Sequence, residues 1–138
     1  MSLTVILSII FIHWVADFIF QAEEWANNKS KSIVPLTMHT FTYTLVWMIP
    51  AGFLFSSPCD LSPVFGRCVD GYKMLTFLGI TFVAHTITDY FTSRIVSRKF
   101  ANKEYGSPIP NFGAFTVIGF DQVLHYVQLF AAYYYLSK

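Results

Sequence analysis

The chain has 138 residues, of which 54% are hydrophobic and only 12% are charged, against about 25% charged residues in ordinary soluble proteins. This composition excludes an ordinary soluble domain and indicates a single integral membrane domain over residues 1–138. The formal net charge of +1 gives no reason to expect a nucleic-acid partner.

Four apolar segments are each close to the roughly 20 residues that a helix needs to cross a bilayer. They cover about 3–21, 34–55, 72–93 and 115–136. The first segment lacks the basic start and the cleavage site of a secretory signal, so we interpret it as a retained helix. The sequence therefore predicts an all-α fold, a four-helix transmembrane bundle.

The basic residues are distributed unevenly among the predicted connections. Connections 23–33 and 94–113 hold six of the nine Lys and Arg residues. By the positive-inside rule these two connections are predicted to be cytoplasmic, with both termini outside, in a multi-pass protein of the inner (cytoplasmic) membrane. Cys59 and Cys68 lie in the remaining connection, on the oxidising side, where we expect a disulfide; the alternative is two free thiols.

A short motif occurs twice along the chain. His13-x-x-x-Asp17 lies in the first apolar segment and His85-x-x-x-Asp89 lies in the third. Each motif is followed by a segment that carries one further histidine. The pattern predicts two helical hairpins that enter the membrane in the same orientation and are related as a parallel repeat.

All four histidines and three of the eight acidic residues lie inside the predicted segments. A spacing of four residues places the His and the Asp of one helix on the same face, and no Lys or Arg lies clearly inside a span to neutralise the carboxylates. Imidazole and carboxylate groups bind Zn²⁺ at about 2.0–2.2 Å. The pattern thus predicts a site for one or two divalent ions, with zinc preferred. Its candidate ligands are His13, Asp17, His39, His85, Asp89, Asp121 and His125.

The order of these residues along their helices places the carboxylates on one side of the site. In each of the three helices that carry both residue types, the Asp lies nearer the predicted cytoplasmic end than its His. At a rise of 1.5 Å per residue, the Asp residues lie roughly 8 Å below the interface and their His partners roughly 14 Å. A hydrogen-bonded network of protonated Asp and His, or a proton relay, uses the same residue types, and both alternatives stay open.

Further polar residues are predicted to support the metal ligands or to contact a substrate. Lys29 and Arg94 lie at the predicted cytoplasmic mouth, where either is a candidate to bind a phosphate group. The full set is Gln21, Asn28, Lys29, Arg94 and Gln122.

The ordered set of motifs resembles a known family. The motifs are His13-Trp-Val-Ala-Asp17-Phe-Ile-Phe-Gln21, Asn28-Lys-Ser-Lys-Ser, Met38-His39, His85-x-x-x-Asp89-Tyr-x-x-Ser-Arg94 and Asp121-Gln122-x-x-His125. Over nearly the whole chain they are similar to a small membrane-protein family of bacteria and their phages that is catalogued as domain of unknown function 3307. The resemblance implies a compact multi-span protein whose Asn28-Lys29-Ser30 loop lies close to the site.

Two more distant resemblances suggest activities. The polar layout within the membrane is similar to that of bacterial membrane-bound metal-dependent hydrolases, although this chain lacks their early His-Arg pair and their Thr-His-Ser run. The two His-x-x-x-Asp helices also resemble the metal site of cation-diffusion zinc transporters, which have six spans and a cytoplasmic metal-binding domain that this chain lacks.

Three functions fit this pattern. The first is a metal-dependent hydrolase of a lipid or lipid-linked substrate near the cytoplasmic leaflet, in which the ion lowers the pKa of a bound water toward about 7. The second is a metal-ion or proton transporter, which requires access from both sides of the membrane. The third is a non-catalytic phage or bacterial accessory protein whose polar centre only fixes the helix register. The lipid bilayer is the expected partner, and homo-oligomerisation is expected for so small a bundle.

Overall fold

The protein is mostly helical in its computed structural model, which describes residues 1–59, 66–106 and 113–138. Helix α1 is followed directly by a π-helical turn, and two short strands lie between α4 and α5. The helices are α1 (Leu3–Trp14), α2 (Glu23–Asn28), α3 (Ile33–Val46), α4 (Met48–Leu54), α5 (Gly71–Ala101) and α6 (Ala114–Leu136); the π-helical turn is Val15–Ile19, and the strands are β1 (Ser56–Pro58) and β2 (Arg67–Val69).

Four helical arms form a ring around a common centre. The arms are α1 with its π-helical turn, α3 with α4, α5, and α6. Helix α3 packs against α5, α5 against α6, and α6 against α1, while the π-helical turn closes the ring against α3. Side chains fix where two arms begin: Ser32 accepts a hydrogen bond from the Val34 N–H, and Asp70 accepts one from the Lys73 N–H, as helix N-caps do.

Two predicted segments differ from the helices of the structure. The second segment is not continuous, because α3 ends at Val46 and α4 begins at Met48. Pro50 has no N–H to donate to the carbonyl of Val46, four residues earlier, so the helix breaks there. The third segment continues to Ala101 instead of ending near Ser93, because basic residues are favourable in the last turns of a helix and do not stop it.

The helical part of the fold prediction is confirmed, and its transmembrane part stays a prediction. Among the described residues, one helix, Gly71–Ala101, is long and apolar enough to cross a membrane, while the apolar stretch Leu3–Ile19 is shorter. The structure therefore bears out a helical bundle with four arms. Four continuous membrane spans, the parallel repeat and the multi-pass topology stay predictions.

The bundle buries polar residues and exposes apolar ones. Its four histidines are at most 2% exposed. Large apolar side chains point outward on every arm, among them Ile49, Ile87 and Val127, which are 75%, 55% and 59% exposed. The polar side chains of the helices are thus concentrated inside the bundle, and many of the large apolar side chains lie on its outside.

An aromatic layer fills the end of the bundle that lies beneath the strands. Trp47 and Phe77 are fully buried, and their ring centroids are 5.5 Å apart. Phe55 packs on Phe77 at 5.5 Å and on Tyr133 at 5.7 Å. Because Phe and Trp side chains bury large areas in tight contact, this layer closes that end of the bundle.

A short β-hairpin, which the all-α prediction did not include, caps the same end. Ser57 pairs with Cys68 in an antiparallel register, and the Asp70 N–H donates to the carbonyl of Phe55. Cys59 and Cys68 form a disulfide with their Cα atoms 5.6 Å apart. The disulfide and the strand pairing together hold this connection against the bundle.

At the opposite end, the residues just after α5 contact the residues at the start of α6. The Ala114 N–H donates to the carbonyl of Glu104 at 2.6 Å. A Cβ atom at Gly113 would overlap the backbone of Gly106, so this crossing requires glycine. The contact fixes where α6 starts, and with it the depth at which Asp121 and His125 lie.

Candidate metal centre

Three side chains from three arms converge on one point near the middle of the ring. His39 Nε2 lies 3.2 Å from Asp17 Oδ1 and 3.1 Å from His85 Nε2, and His85 Nε2 lies 3.6 Å from Asp17 Oδ1. The corners of a tetrahedron with 2.0–2.1 Å metal–ligand bonds are about 3.3–3.4 Å apart. The triad formed by Asp17, His39 and His85 therefore has the spacing of one face of a zinc site, with a fourth position left for water or substrate.

A buried atom without a partner supports this interpretation. Asp17 is only 5% exposed, and its Oδ1 forms no hydrogen bond of acceptable geometry with any described residue, although His39 Nε2 is 3.2 Å away. An unsatisfied buried carboxylate oxygen is costly. A cation between the three side chains would remove that cost.

A second group of three ligands shares His85. Its other members are Asp89, whose Oδ2 lies 3.7 Å from His85 Nε2, and His125, whose Nε2 lies 3.3 Å from Asp89 Oδ1. The rings of His85 and His125 are stacked with centroids 4.0 Å apart. Either group could hold a metal ion, and both depend on His85.

The π-helical turn sets the position of Asp17. Within it, the Phe20 N–H donates to the carbonyl of Val15, five residues earlier, at 3.1 Å. Such widened turns accommodate one extra residue and occur often at functional sites. Here Asp17 points toward α3 and α5, and its Oδ2 lies 3.9 Å from Nε2 of His13.

His13 was predicted as a ligand but lies outside both groups. Its Nδ1 is 2.7 Å from the Tyr43 hydroxyl, and its Nε2 is 2.8 Å from Gln122 Oε1. Both ring nitrogens are thus engaged by protein groups. Gln122 in turn donates from Nε2 to Asp17 Oδ2 at 3.0 Å, so His13 orients a ligand through Gln122.

Asp121 also lies outside the two groups. Its Oδ1 accepts a hydrogen bond from the Thr92 hydroxyl at 2.6 Å and lies 3.4 Å from His125 Nε2. Of the seven predicted ligands, five therefore belong to a candidate metal group and two support it from the side.

Lys29 reaches the centre from the loop after α2. Its Nζ donates to Asp89 Oδ2 at 2.7 Å and lies 3.5 Å from His39 Nε2. Burial alone would lower the pKa of Lys29, but the carboxylates of Asp89 and Asp17 outweigh it and raise the pKa above the ordinary lysine value. Lys29 therefore remains an ammonium group.

A cavity of about 320 Å³ opens beside the centre. Its wall contains the three carboxylates of the centre, Lys29 and Gln122, but none of the four histidines among the residues described. The carboxylates therefore face the opening, and the imidazoles lie behind them. Further polar groups in the wall are Gln21, Asn27, Ser30, Thr92, Ser93 and Ser97.

Two residues predicted to contact the centre lie elsewhere. Asn28 donates to the carbonyl of Glu24 at 2.8 Å, and its neighbour Asn27 lines the cavity instead. Arg94 donates to the carbonyl of Tyr90 at 2.7 Å and stacks 3.7 Å over its ring. Arg94 continues the α5 helix, so its side chain folds back along that helix and not toward the cavity.

Several residues of the site were missed by the sequence interpretation. They lie one helical turn from a predicted ligand, so the four-residue spacing that identified the His and Asp residues also contains them. Tyr43 follows His39 by four residues, Ser93 follows Asp89 by four, and Thr92 follows it by three. Because hydroxyl residues are common in helices of every kind, spacing alone did not distinguish them.

The chain was compared with known proteins. Neither the curated proteins nor the solved structures contain a match. One family model, described as a protein of unknown function (DUF3307), matches residues 5–138. The match includes all the candidate ligands and agrees with the resemblance based on the His, Asp and Asn-Lys-Ser motifs. The chain therefore belongs to the DUF3307 family.

Proposed function

We propose that this protein is an integral membrane, metal-dependent hydrolase that acts on a lipid or lipid-linked substrate at the cytoplasmic face. The observation that carries the proposal is the three-ligand triad of Asp17, His39 and His85 beside a cavity that opens on one side. Catalytic zinc sites typically combine three protein ligands with an open position. Binding sites for small molecules typically occupy cavities of roughly 300–1,000 Å³.

The distribution of side chains supports a membrane location. Asp and His lie inside the bundle, and large apolar side chains face outward on all four arms. This arrangement suits lipid, since intramembrane ionisable residues almost always face the bundle interior. The cavity opens at the end that carries Lys29 and Ser97, which belongs to the side that the positive-inside rule assigns to the cytoplasm.

One-sided access favours a hydrolase over a transporter. Transport requires a path to the centre from each face of the membrane. In the parts of the chain described here, the end opposite the cavity is filled by Trp47, Phe55 and Phe77, which are at most 6% exposed. A static site closed on one side is suited to receiving a substrate from a single leaflet and releasing products to the same side.

The chemistry divides between the ion and the chain. A bound divalent ion would lower the pKa of water toward about 7 and polarise the scissile ester. Asp17 is oriented by Gln122 and His13. Asp121 lines the cavity and would accept the proton that water loses as its oxygen attacks. The new bond would join that oxygen to the acyl or phosphoryl group, and the bond from this group to the departing oxygen would break. The departing oxygen would take up the proton that Asp121 had accepted.

The test is hydrolysis by metal-loaded protein. We expect detergent-purified protein loaded with Zn²⁺ or Mn²⁺ to release fatty acid, phosphate or a head group from a mixed phospholipid and lipid-linked pyrophosphate preparation, detected by mass spectrometry. Asp17→Asn should reduce release at least about a hundredfold. Proteoliposomes with a zinc-sensitive dye inside provide the second measurement. Zinc entry without product release would replace the hydrolase with a transporter.

A further inference from the structure

One positively charged side chain, Lys29, already lies among the carboxylates of the centre. Asp17, Asp89 and Asp121 all face the cavity, and Lys29 lines it with them. Lys29 is mostly buried, with 18% of its side chain exposed, and its ion pair with Asp89 is 2.7 Å long. Among the ion pairs of the described residues, no other Lys or Arg contacts these three carboxylates.

The position of this ammonium bears on how many ions the centre can hold. The two candidate ligand groups share His85, and its Nε2 lies 3.6 Å from Asp17 Oδ1 and 3.7 Å from Asp89 Oδ2. Two ions would therefore have to share that one nitrogen. In the second group, Asp89 Oδ2 already accepts a hydrogen bond from the Lys29 ammonium. Three carboxylates, one ammonium and one divalent ion together carry no net formal charge. A second divalent ion would leave an excess of positive charge in a buried site.

We propose that Lys29 is the second cation of a one-ion centre: its ammonium, paired with Asp89, supplies the positive charge that a second metal ion would otherwise bring. The inference rests on the proposed metal function and specifies it further. The ion lies in the triad of Asp17, His39 and His85, and Lys29 neutralises Asp89 beside it. Because Lys29 also lines the cavity, it faces whatever oxygen the substrate presents to the ion.

Metal stoichiometry tests this assignment. We expect the wild-type protein to bind one equivalent of Zn²⁺. Lys29→Met removes a positive charge next to a ligand, so it should either admit a second equivalent or tighten the binding of the first at least about tenfold. Elemental analysis gives the number of ions, and isothermal titration calorimetry gives the dissociation constant. Lys29→Gln repeats the measurement with a polar side chain in case the methionine variant folds poorly.

Lys31 provides a matched control on the same loop. Lys31 is exposed, and its ammonium donates to the Asn28 side chain at 3.1 Å. Lys31→Met should therefore leave the number of bound ions and the affinity for Zn²⁺ unchanged. Two equivalents in the wild type, or unchanged or weaker binding in both Lys29 variants, would overturn the assignment of Lys29. No metal in the wild-type protein would instead contradict the proposed function, so the two failures can be told apart.

The stacked rings of His85 and His125 also line a small cavity. Three buried atoms have no hydrogen-bond partner among the described residues: His85 Nδ1, His125 Nδ1 and Thr81 Oγ1. All three residues line the same small cavity of about 10 Å³, together with Gln128. A cavity that accepts one water is about 10–15 Å³, and a buried water typically makes about three hydrogen bonds.

We infer that this small cavity is the site of a structural water. Such a water accepts hydrogen bonds from Nδ1–H of His85 and of His125 and donates to the Thr81 hydroxyl. It thereby fixes both rings with Nε2 unprotonated and directed at the ligand groups. Histidines that bind metals usually donate their other N–H in this manner.

Removing the Thr81 hydroxyl tests the proposed water site. Thr81→Val keeps the shape and loses the hydrogen-bond partner, so metal affinity should fall about 10–100-fold, while Thr81→Ser should restore it. Thr44→Val is the control, because the Thr44 hydroxyl donates to the Thr40 carbonyl of its own helix. A high-resolution crystal structure without density between the three atoms, or unchanged affinity in Thr81→Val, would overturn the water site.

Discussion

Replacing His85 with alanine is expected to abolish metal binding, because His85 is the one residue common to both candidate ligand groups. Without its imidazole, the triad keeps only two of its three ligands. The second group likewise keeps only Asp89 and His125. The zinc content of the detergent-purified variant, measured by elemental analysis, should fall from one equivalent to background. The loss should persist after incubation with excess Zn²⁺ and subsequent washing.

His13→Ala is the informative companion to that experiment. The sequence assigns His13 the same role as His85, but in the structure its ring nitrogens contact Tyr43 and Gln122. We expect His13→Ala to keep its ion, with affinity lower by about 10–100-fold because Gln122 no longer orients Asp17. If His13→Ala lost the ion while His85→Ala retained it, the ligand assignment would be wrong. If neither variant nor the wild type held metal after reconstitution, the centre would be a protonated Asp–His network.

Replacing Phe77 with alanine is expected to give the largest loss of stability outside the metal centre. Phe77 is fully buried and packs against both Trp47 and Phe55 with ring centroids 5.5 Å away. Truncating a buried Phe leaves a cavity and costs about 3–5 kcal/mol. The thermal midpoint in detergent should fall by many degrees, and the closed end of the bundle should become accessible to water.

Phe91 on the same helix provides the comparison. It is 60% exposed, so Phe91→Ala removes the same atoms from the outer surface and should change the midpoint little. Equal effects of the two substitutions would mean that the aromatic layer does not close the bundle. One-sided access would then no longer favour a hydrolase over a transporter.

Spacing within single helices identified part of the site. The spacing of His85 and Asp89, and of Asp121 and His125, identified residues that do meet at the centre. A polar residue within an apolar helix must face inward, and residues four apart share a face. Lys29 lies in a connection, where this reasoning does not apply; its place near the centre was implied by the resemblance of its loop to the DUF3307 family.

Local pattern was least informative where backbone geometry departs from a regular helix. The break between Val46 and Met48 divides a segment that composition alone treats as one span. The extension of α5 to Ala101 takes Arg94 out of the connection in which its role was predicted. The β-hairpin between α4 and α5 is too short to produce a detectable alternation of polar and apolar residues.

The sequence by itself determined that the protein is helical and that its His and Asp residues share a centre. These conclusions follow from helical periodicity and from the cost of burying charge, which act along one helix at a time. The tertiary structure decided which side chains meet across helices. It brought three of the predicted ligands, Asp17, His39 and His85, together in one triad and left His13 outside it. It also paired Lys29 with Asp89 and closed one end of the bundle. Distances between arms depend on helix packing and on the π-helical turn, and spacing within a single helix does not encode them.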